Sequence, residues 1–311
     1  MTPLGPGDVL IVALTSRALP ADEKPFSSKE VWTLLTTHSE EDLARWAQGS
    51  SEEPVSELAA RAKRLLQRGS AAAAQLDQWD NEGVWTLTAA SPGYPSQLRD
   101  RLGMGAPAVL HGLGDPTQLQ REGLGVVGSR SIGDDGLRSC QAAAEQAAER
   151  GLVLVSGGAR GTDAEAMAAA VRAGGCATGI LADSLRKAAR STDNRRLIHD
   201  ERLCLATPYH PDAPFSAATA MGRNKIIYGL SRTVFVVASD KEKGGTWSGA
   251  IEAIKAGWCD VAVWTGPGSG PGNAALVERG AREIASEEEL WDPSAPPPAQ
   301  EPDPEQLSLD L

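Results

Sequence analysis

An α/β architecture is predicted by this 311-residue sequence: a doubly wound, mostly parallel sheet, preceded by a small helical domain and followed by a disordered C-terminal tail. Three observations carry the prediction. From residue 124 onward, short continuous apolar runs alternate with helix-length segments. Before residue 120 the apolar residues recur mainly at helical spacing, and after Trp291 prolines and acids replace apolar residues almost entirely.

Taken in order, helices are expected over roughly 28–37, 40–48, 54–68 and 70–82. The third carries Val55, Leu58, Ala59, Ala62, Leu65 and Leu66 on one face. These make a small helical domain, residues 1–82. Gly83-Val84-Trp85-Thr86-Leu87 and Ala108-Val109-Leu110-His111-Gly112 read as strands that lead into a sheet domain, residues 83–291. Further strands are expected at 124–128, 152–156, 176–181, 203–207, 233–238 and 259–264, with helices near 134–149, 161–173, 193–201, 217–230, 246–256 and 272–280. Continuous apolar strands separated by helix-length segments belong to a parallel sheet covered on both faces, which makes this domain Rossmann-like. Residues 292–311, with Pro293, Pro296, Pro297, Pro298, Pro302 and Pro304, form the extended tail.

Two of these strands end alike. Leu124-Gly125-Val126-Val127-Gly128 runs into Ser129-Arg130-Ser131, and Leu152-Val153-Leu154-Val155 runs into Ser156-Gly157-Gly158-Ala159-Arg160-Gly161-Thr162-Asp163. Glycine brings the backbone close to a ligand, a following helix N-terminus supplies free N–H groups, and arginine offers a planar fork for phosphate oxygens. Ligands of open α/β sheets sit beyond the carboxyl ends of the strands, where Arg130 and Arg160 both fall. The competing reading of each turn is a tight connection with solvated arginines, and two such turns in tandem weigh against it.

The chain is 41% hydrophobic and 5% aromatic, enough for a core. No run of 18 apolar residues occurs, and Met1 to Asp8 lack the basic and apolar stretches of a signal peptide, so a cytoplasmic protein with no membrane partner is expected. The cysteines (Cys140, Cys176, Cys204, Cys259) and histidines (His38, His111, His199, His210) show no ligand spacing; neither disulfide, metal nor cofactor is expected. The net charge of −11 is unevenly spread: residues 286–311 hold eight acids and no Lys or Arg, whereas Arg186 to Arg232 holds nine Lys/Arg against four acids. The basic charge therefore lies beside the proposed phosphate rim. A solvated helical face is the competing account of it.

The tail ends in Gln306-Leu307-Ser308-Leu309-Asp310-Leu311. Alternate leucines suit an extended peptide laid into a groove. The segment resembles the Gln-Leu-x-Leu-x-Leu peptides with which bacterial replication and repair proteins bind a sliding clamp, through Gln306, Leu307, Leu309 and Leu311 here. An ordinary acidic tail is the alternative.

Four motifs, in order and spacing, resemble the DNA-processing protein A (DprA/Smf) family across about residues 85–290: Val127-Gly128-Ser129-Arg130; Val155 to Asp163; Gly222-Arg223-Asn224-Lys225-Ile226-Ile227-Tyr228-Gly229-Leu230-Ser231; and Gly272-Asn273-Ala274-Ala275-Leu276 with Gly280-Ala281. The resemblance implies a Rossmann-like protein that binds single-stranded DNA, forms a homodimer, loads RecA-type recombinase in DNA uptake and recombination, and turns over no substrate. Carried over by motif, Gly128, Ser129 and Arg130 correspond to the first phosphate-holding turn. Ser156, Gly157, Gly158 and Arg160 correspond to the second, and Arg223, Asn224 and Lys225 to the Arg-Asn-Arg/Lys segment. Arg223 and Lys225 would neutralise phosphates, and Asn224 would bond a backbone or base edge or, on the other reading, cap a helix.

The sequence departs from that family at several places and reads as a divergent member. The usual Tyr-Pro and Phe-Pro are replaced by Ser184 to Arg190 and Ala217 to Met221, which leaves Tyr209 and Phe215 as the aromatic residues available to stack on bases. Lys243-Gly244-Gly245-Thr246-Trp247-Ser248-Gly249-Ala250 stands for an Arg-Ser-Gly-Ser-Leu segment. Gly244-Gly245-Thr246 followed by Glu252 faintly resembles the signature of lysine-decarboxylase-like (LOG) nucleoside-monophosphate phosphoribohydrolases, with the spacing off by one and Lys243 in place of proline. That enzyme, or a nucleotide-binding sensor, is the alternative function; against it, Glu252 reads as a surface acid paired with Lys255 or Lys241. No Gly-x-Ser-x-Gly elbow occurs, and Gly128 to Gly133 lacks the middle glycine of a dinucleotide fingerprint.

Overall fold

The computed structural model describes residues 4–20, 22–50 and 56–291. Among these residues five helices come first: α1 Pro6–Thr15, α2 Ser28–Thr37, α3 Glu40–Ala47, α4 Glu57–Leu66 and α5 Gly69–Asn81. Ser27 and Ser39 cap α2 and α3, and Glu30 and Asp42 reach back to the caps, so free N–H groups at each start are satisfied reciprocally. Helical spacing gives no sign of α1. Leu10, Ile11, Val12, Ala13 and Leu14 are all buried, and a helix enclosed on every side has no polar face to mark its period.

Among the described residues nine strands form one sheet, in the order β1-β2-β6-β5-β4-β3-β7-β8-β9. They are β1 Trp85–Thr88, β2 Val109–Leu113, β3 Gly123–Val127, β4 Val153–Ser156, β5 Cys176–Ile180, β6 Leu203–Thr207, β7 Ser231–Val236, β8 Asp260–Trp264 and β9 Arg282–Ile284. Pairs β1–β2 and β2–β6 are antiparallel and the other six are parallel. The remaining helices are α6 Ser96–Leu102, α7 Asp134–Glu149, α8 Thr162–Arg172, α9 Leu185–Ala189, α10 Thr192–His199, α11 Ala217–Leu230, α12 Gly244–Ala256 and α13 Asn273–Val277. The bounds expected for α2, α7 and α11 coincide with those observed. Besides α1, the elements that periodicity does not announce, α6, α9 and β9, are seven residues or fewer, too short to display a repeat.

The doubly wound, mostly parallel architecture follows from the connections. After β3 the chain adds β4, β5 and β6 on one side, then returns through α11 to place β7 on the other. Strand order reverses at β3, which opens a crevice at its carboxyl end. The N-terminal helices are fastened to the sheet layer: Trp32 Nε1 donates to the Ala106 carbonyl at 2.8 Å, Thr88 Oγ1 donates to Asp8 at 2.8 Å, and Arg186 pairs with Glu82 at 2.6 Å. One apolar core runs from Ile11 and Leu34 through Leu113 and Leu205 to Phe235. Among the described residues no helix is long and apolar enough to cross a membrane.

Candidate functional site

The loops after β3 and β4 touch through their backbones. Thr162, at the start of α8, donates both its N–H (3.2 Å) and its hydroxyl (3.0 Å) to the Ser129 carbonyl. Glycine is required on both sides of this seam. A Cβ on Gly128 would lie 2.5 Å from Thr162 Oγ1, and one on Gly161, whose φ is +88°, would lie 2.6 Å from the Arg130 carbonyl. From the other flank, Thr246 at the start of α12 donates to the Gly128 carbonyl at 3.2 Å. The two turns therefore make one braced rim, from which Arg130 and Arg160 project as exposed side chains.

Beneath the rim lies Arg223 of α11. It is only 6% exposed, its Nε has no hydrogen-bond partner, and its guanidinium forms no ion pair with a described residue. Gly157 makes room for it: a Cβ at that position would overlap Arg223 Nη1 and stand 2.6 Å from Asp163 Oδ2. Asp163 is 8% exposed and accepts from the Ala159 N–H at 3.4 Å. Burial pushes its carboxyl up to about 6, although the Arg223 charge and the N–H groups of Ala159 and Gly157 pull the other way. Burial likewise draws Arg223 below the usual guanidinium range, against the pull of Asp163. Both shifts run toward the neutral forms because desolvation outweighs an attraction that is not closed into an ion pair. An anion entering beside Arg223 would supply what the fold withholds.

Phe215, on the loop between β6 and α11, is 54% exposed, and the Arg130 guanidinium stands over its ring at 5.6 Å from the centroid. Tyr209 does not share that exposure. Its hydroxyl donates to the Thr219 carbonyl at 2.8 Å, and Gly222 packs against it.

The other residues singled out in the sequence are placed differently. Ser156 is fully buried, and its hydroxyl donates across the sheet to the Val126 carbonyl at 2.6 Å. Ser129 closes a local turn, its Oγ donating to the Ser131 carbonyl and accepting from the Ser131 N–H. Gly158 takes a positive φ of +64° at the lip of the rim. Asn224 Nδ2 donates to the Gly245 carbonyl at 3.1 Å, and Lys225 Nζ pairs with Glu252 at 2.5 Å. Both therefore tie α11 to α12, and Glu252 pairs with Lys225 instead of the expected Lys255 or Lys241. The reason is helical geometry: successive residues are turned by about 100°, so Arg223 and Lys225 point to nearly opposite sides. The parts played by Asp163 and Thr162 depend on contacts across elements that motif spacing does not show. Gln306, Leu307, Leu309 and Leu311 lie outside the described residues.

Two strand-end turns fused at a topological switch, with two exposed arginines above a buried unpaired one, define a doubly wound α/β protein with a cationic rim at the carboxyl ends of its strands. The family model of DNA recombination-mediator protein A matches residues 85–294, and the chain belongs to that family. It is 30% identical to the DNA processing protein DprA of Bacillus subtilis over 225 residues, 70% of this chain and 73% of that one. It is also 30% identical to protein Smf of Escherichia coli over 227 residues, spanning 68% of this chain but 59% of that protein's length. The solved structure of DprA from Streptococcus pneumoniae matches with a TM-score of 0.70 at 22% identity, covering 92% of this chain and 97% of that one. A Helicobacter pylori DNA processing protein A, whose structure was described for its single-stranded DNA binding mode, matches with a TM-score of 0.54 at 23% identity, covering 67% of this chain and 93% of that one. At these identities the structural likeness bears on the fold.

Proposed function

We propose that the chain binds single-stranded DNA along the rim formed by the Gly128–Arg130 and Gly157–Gly161 turns, and that it acts in the cytoplasm as a homodimeric recombination accessory delivering strands to a RecA-type recombinase, without catalytic turnover. The observation that carries this reading is Arg223: a guanidinium nine-tenths buried, unpaired, held against Gly157 and beside Asp163. A phosphate there neutralises it, exposed Arg130 and Arg160 take neighbouring phosphates, and Phe215 offers its face to a base. Family membership supports the reading, as does the single-stranded DNA binding mode described for the Helicobacter pylori protein. The last six residues remain our proposed ligand for a sliding clamp.

The glycosidic-hydrolase alternative needs Glu252 near a bound nucleotide. That carboxylate is engaged by Lys225 on the side of α11 turned away from Arg223.

Fluorescence anisotropy with a labelled oligothymidine tests the proposal. Single strands are expected to bind more tightly than a duplex of the same length. Arg130→Ala and Arg223→Lys should each weaken binding about tenfold at low salt, the scale of one charge-assisted contact. Because Arg223→Lys keeps the charge but loses the fork, its circular dichroism should match wild type; equal affinity in all three proteins would remove the rim from the function.

A further inference from the structure

A groove of about 400 Å³ runs along the flank of α8 that faces α9 and α10. Its walls are aliphatic: Met167 and Val171 of α8, Leu197 of α10, and Leu181, Leu203 and Leu205 from the sheet side. No aromatic residue lines it, which argues against a nucleobase as occupant. One end reaches Gly158 at the lip of the anion rim, and the other reaches Val171 and Ala177 near the amino-terminal end of β5. Its outer side carries an excess of base. Lys187 and one acid, Asp183, line the groove, and Arg190, just after α9, and Arg195 and Arg196 of α10 are exposed nearby. None of the four basic residues forms an ion pair with a described residue, whereas Arg186 beside them is taken up by Glu82 and Asp212.

The chain itself carries a segment of matching chemistry. Leu307, Leu309 and Leu311 alternate, so in extended form they share one face, and Glu301, Asp303, Glu305 and Asp310 supply acid around them. The distance is within reach. The last described residue, Trp291, is fixed at the end of α7 by its bond to Gln146 and by Arg150 over its ring at 4.3 Å. Helix α7 lies against α8, whose far flank is the groove, so the near end is roughly 20 Å away at ordinary helix spacings. Residues 292–300, rich in proline, span up to about 28 Å when extended, more than that distance. Three alternate leucines cover roughly 13 Å, comparable with the Ala164 to Val171 wall of about 10 Å.

We infer that the groove between α8 and α10 is the docking site of the chain's own C-terminal segment, residues 301–311, held by its leucines in the aliphatic trough and by its acids on the Lys187, Arg190, Arg195 and Arg196 rim. Docked there, the segment ends beside Gly158 and brings negative charge to the anion rim. The consequence for DNA, a tail that weakens strand binding until it is released, rests on the proposed function; the docking itself does not. A tail held in this groove is also withheld from a clamp.

The test uses a fluorescein-labelled peptide of residues 299–311 and no nucleic acid, so its outcome is independent of the oligothymidine result. The receptor is the full chain carrying Leu307→Ser, Leu309→Ser and Leu311→Ser, which empties its groove. Saturable binding is expected, at least about tenfold weaker to the wild-type chain, whose tail competes at high effective concentration. Adding Lys187→Glu, Arg195→Glu and Arg196→Glu, all exposed, should weaken it about tenfold. No binding, equal binding to the wild-type chain, or indifference to the three charge reversals overturns the inference. So does wild-type competition that appears only as the chain associates with a second copy, since the tail would then dock in trans.

Discussion

At the scale of single residues the site depends on what two positions leave out. Gly157 has no Cβ where the Arg223 guanidinium lies, so Gly157→Ala should push that group out of place and cost about 1–3 kcal/mol in a denaturant titration, with oligothymidine affinity falling alongside. Asp163 gives the site a pH response. Burial holds its carboxyl at about 6 against an ordinary value of 3.8, so folding favours the protonated acid. The stability this group contributes is fully present below about pH 4 and is lost as pH rises through about 6. Protonation also removes the stronger of the two carboxylate charges that act on Arg223, the other being Asp183. Oligothymidine affinity should therefore increase as pH falls from about 7 to about 5, and Asp163→Asn should flatten the profile across that window. A variant whose affinity still follows pH as wild type does would assign the response elsewhere. The motif spacing points to Arg223, but only the folded position of the Gly157–Asp163 turn over α11 shows that it is buried and that Asp163 is its neighbour.

Among the elements, the rim is held by helix starts. Thr162 of α8 and Thr246 of α12 grip successive carbonyls of the loop after β3, and Asn224 and Lys225 fasten α11 to α12. The far end of the sheet has a comparable device. Asn273, fully buried at the head of α13, accepts from Ser239 N–H at 2.8 Å and donates to the Val237 and Trp264 carbonyls at 2.9 and 2.7 Å. Asn273→Ala leaves these groups unsatisfied and should destabilise the chain by about 2–4 kcal/mol in urea unfolding, without weakening strand binding at saturating fold. A change below about 0.5 kcal/mol would mean that those groups find other partners. The elements legible in the sequence are helices whose faces differ, such as α2 and α7, and the continuous aliphatic strands from β3 to β8, which are covered on both faces. Helix α1 was missed because it has no solvent face, and α9 and β9 because they are too short for a period. Asn224 and Lys225 were grouped with Arg223 because adjacency in sequence looks like adjacency in space, which a helix denies.

For the whole molecule, the net charge of −11 conceals a polarity: acid collects in the C-terminal stretch and base around α9, α10 and the rim. A chain that grips phosphates must release counterions, so the full molecule should lose affinity steeply with salt whatever sequence it holds. Removing two phosphate contacts removes a fixed part of that slope. The measurement that bears most directly on the central claim is the dependence of oligothymidine affinity on potassium chloride concentration, compared between wild type and Arg130→Ala/Arg160→Ala. A log–log slope smaller by about 1.4 in the double variant, roughly 0.7 for each phosphate on a single strand, is the predicted result. An identical slope in both proteins would contradict it, because the exposed arginines of the rim would then hold no phosphate.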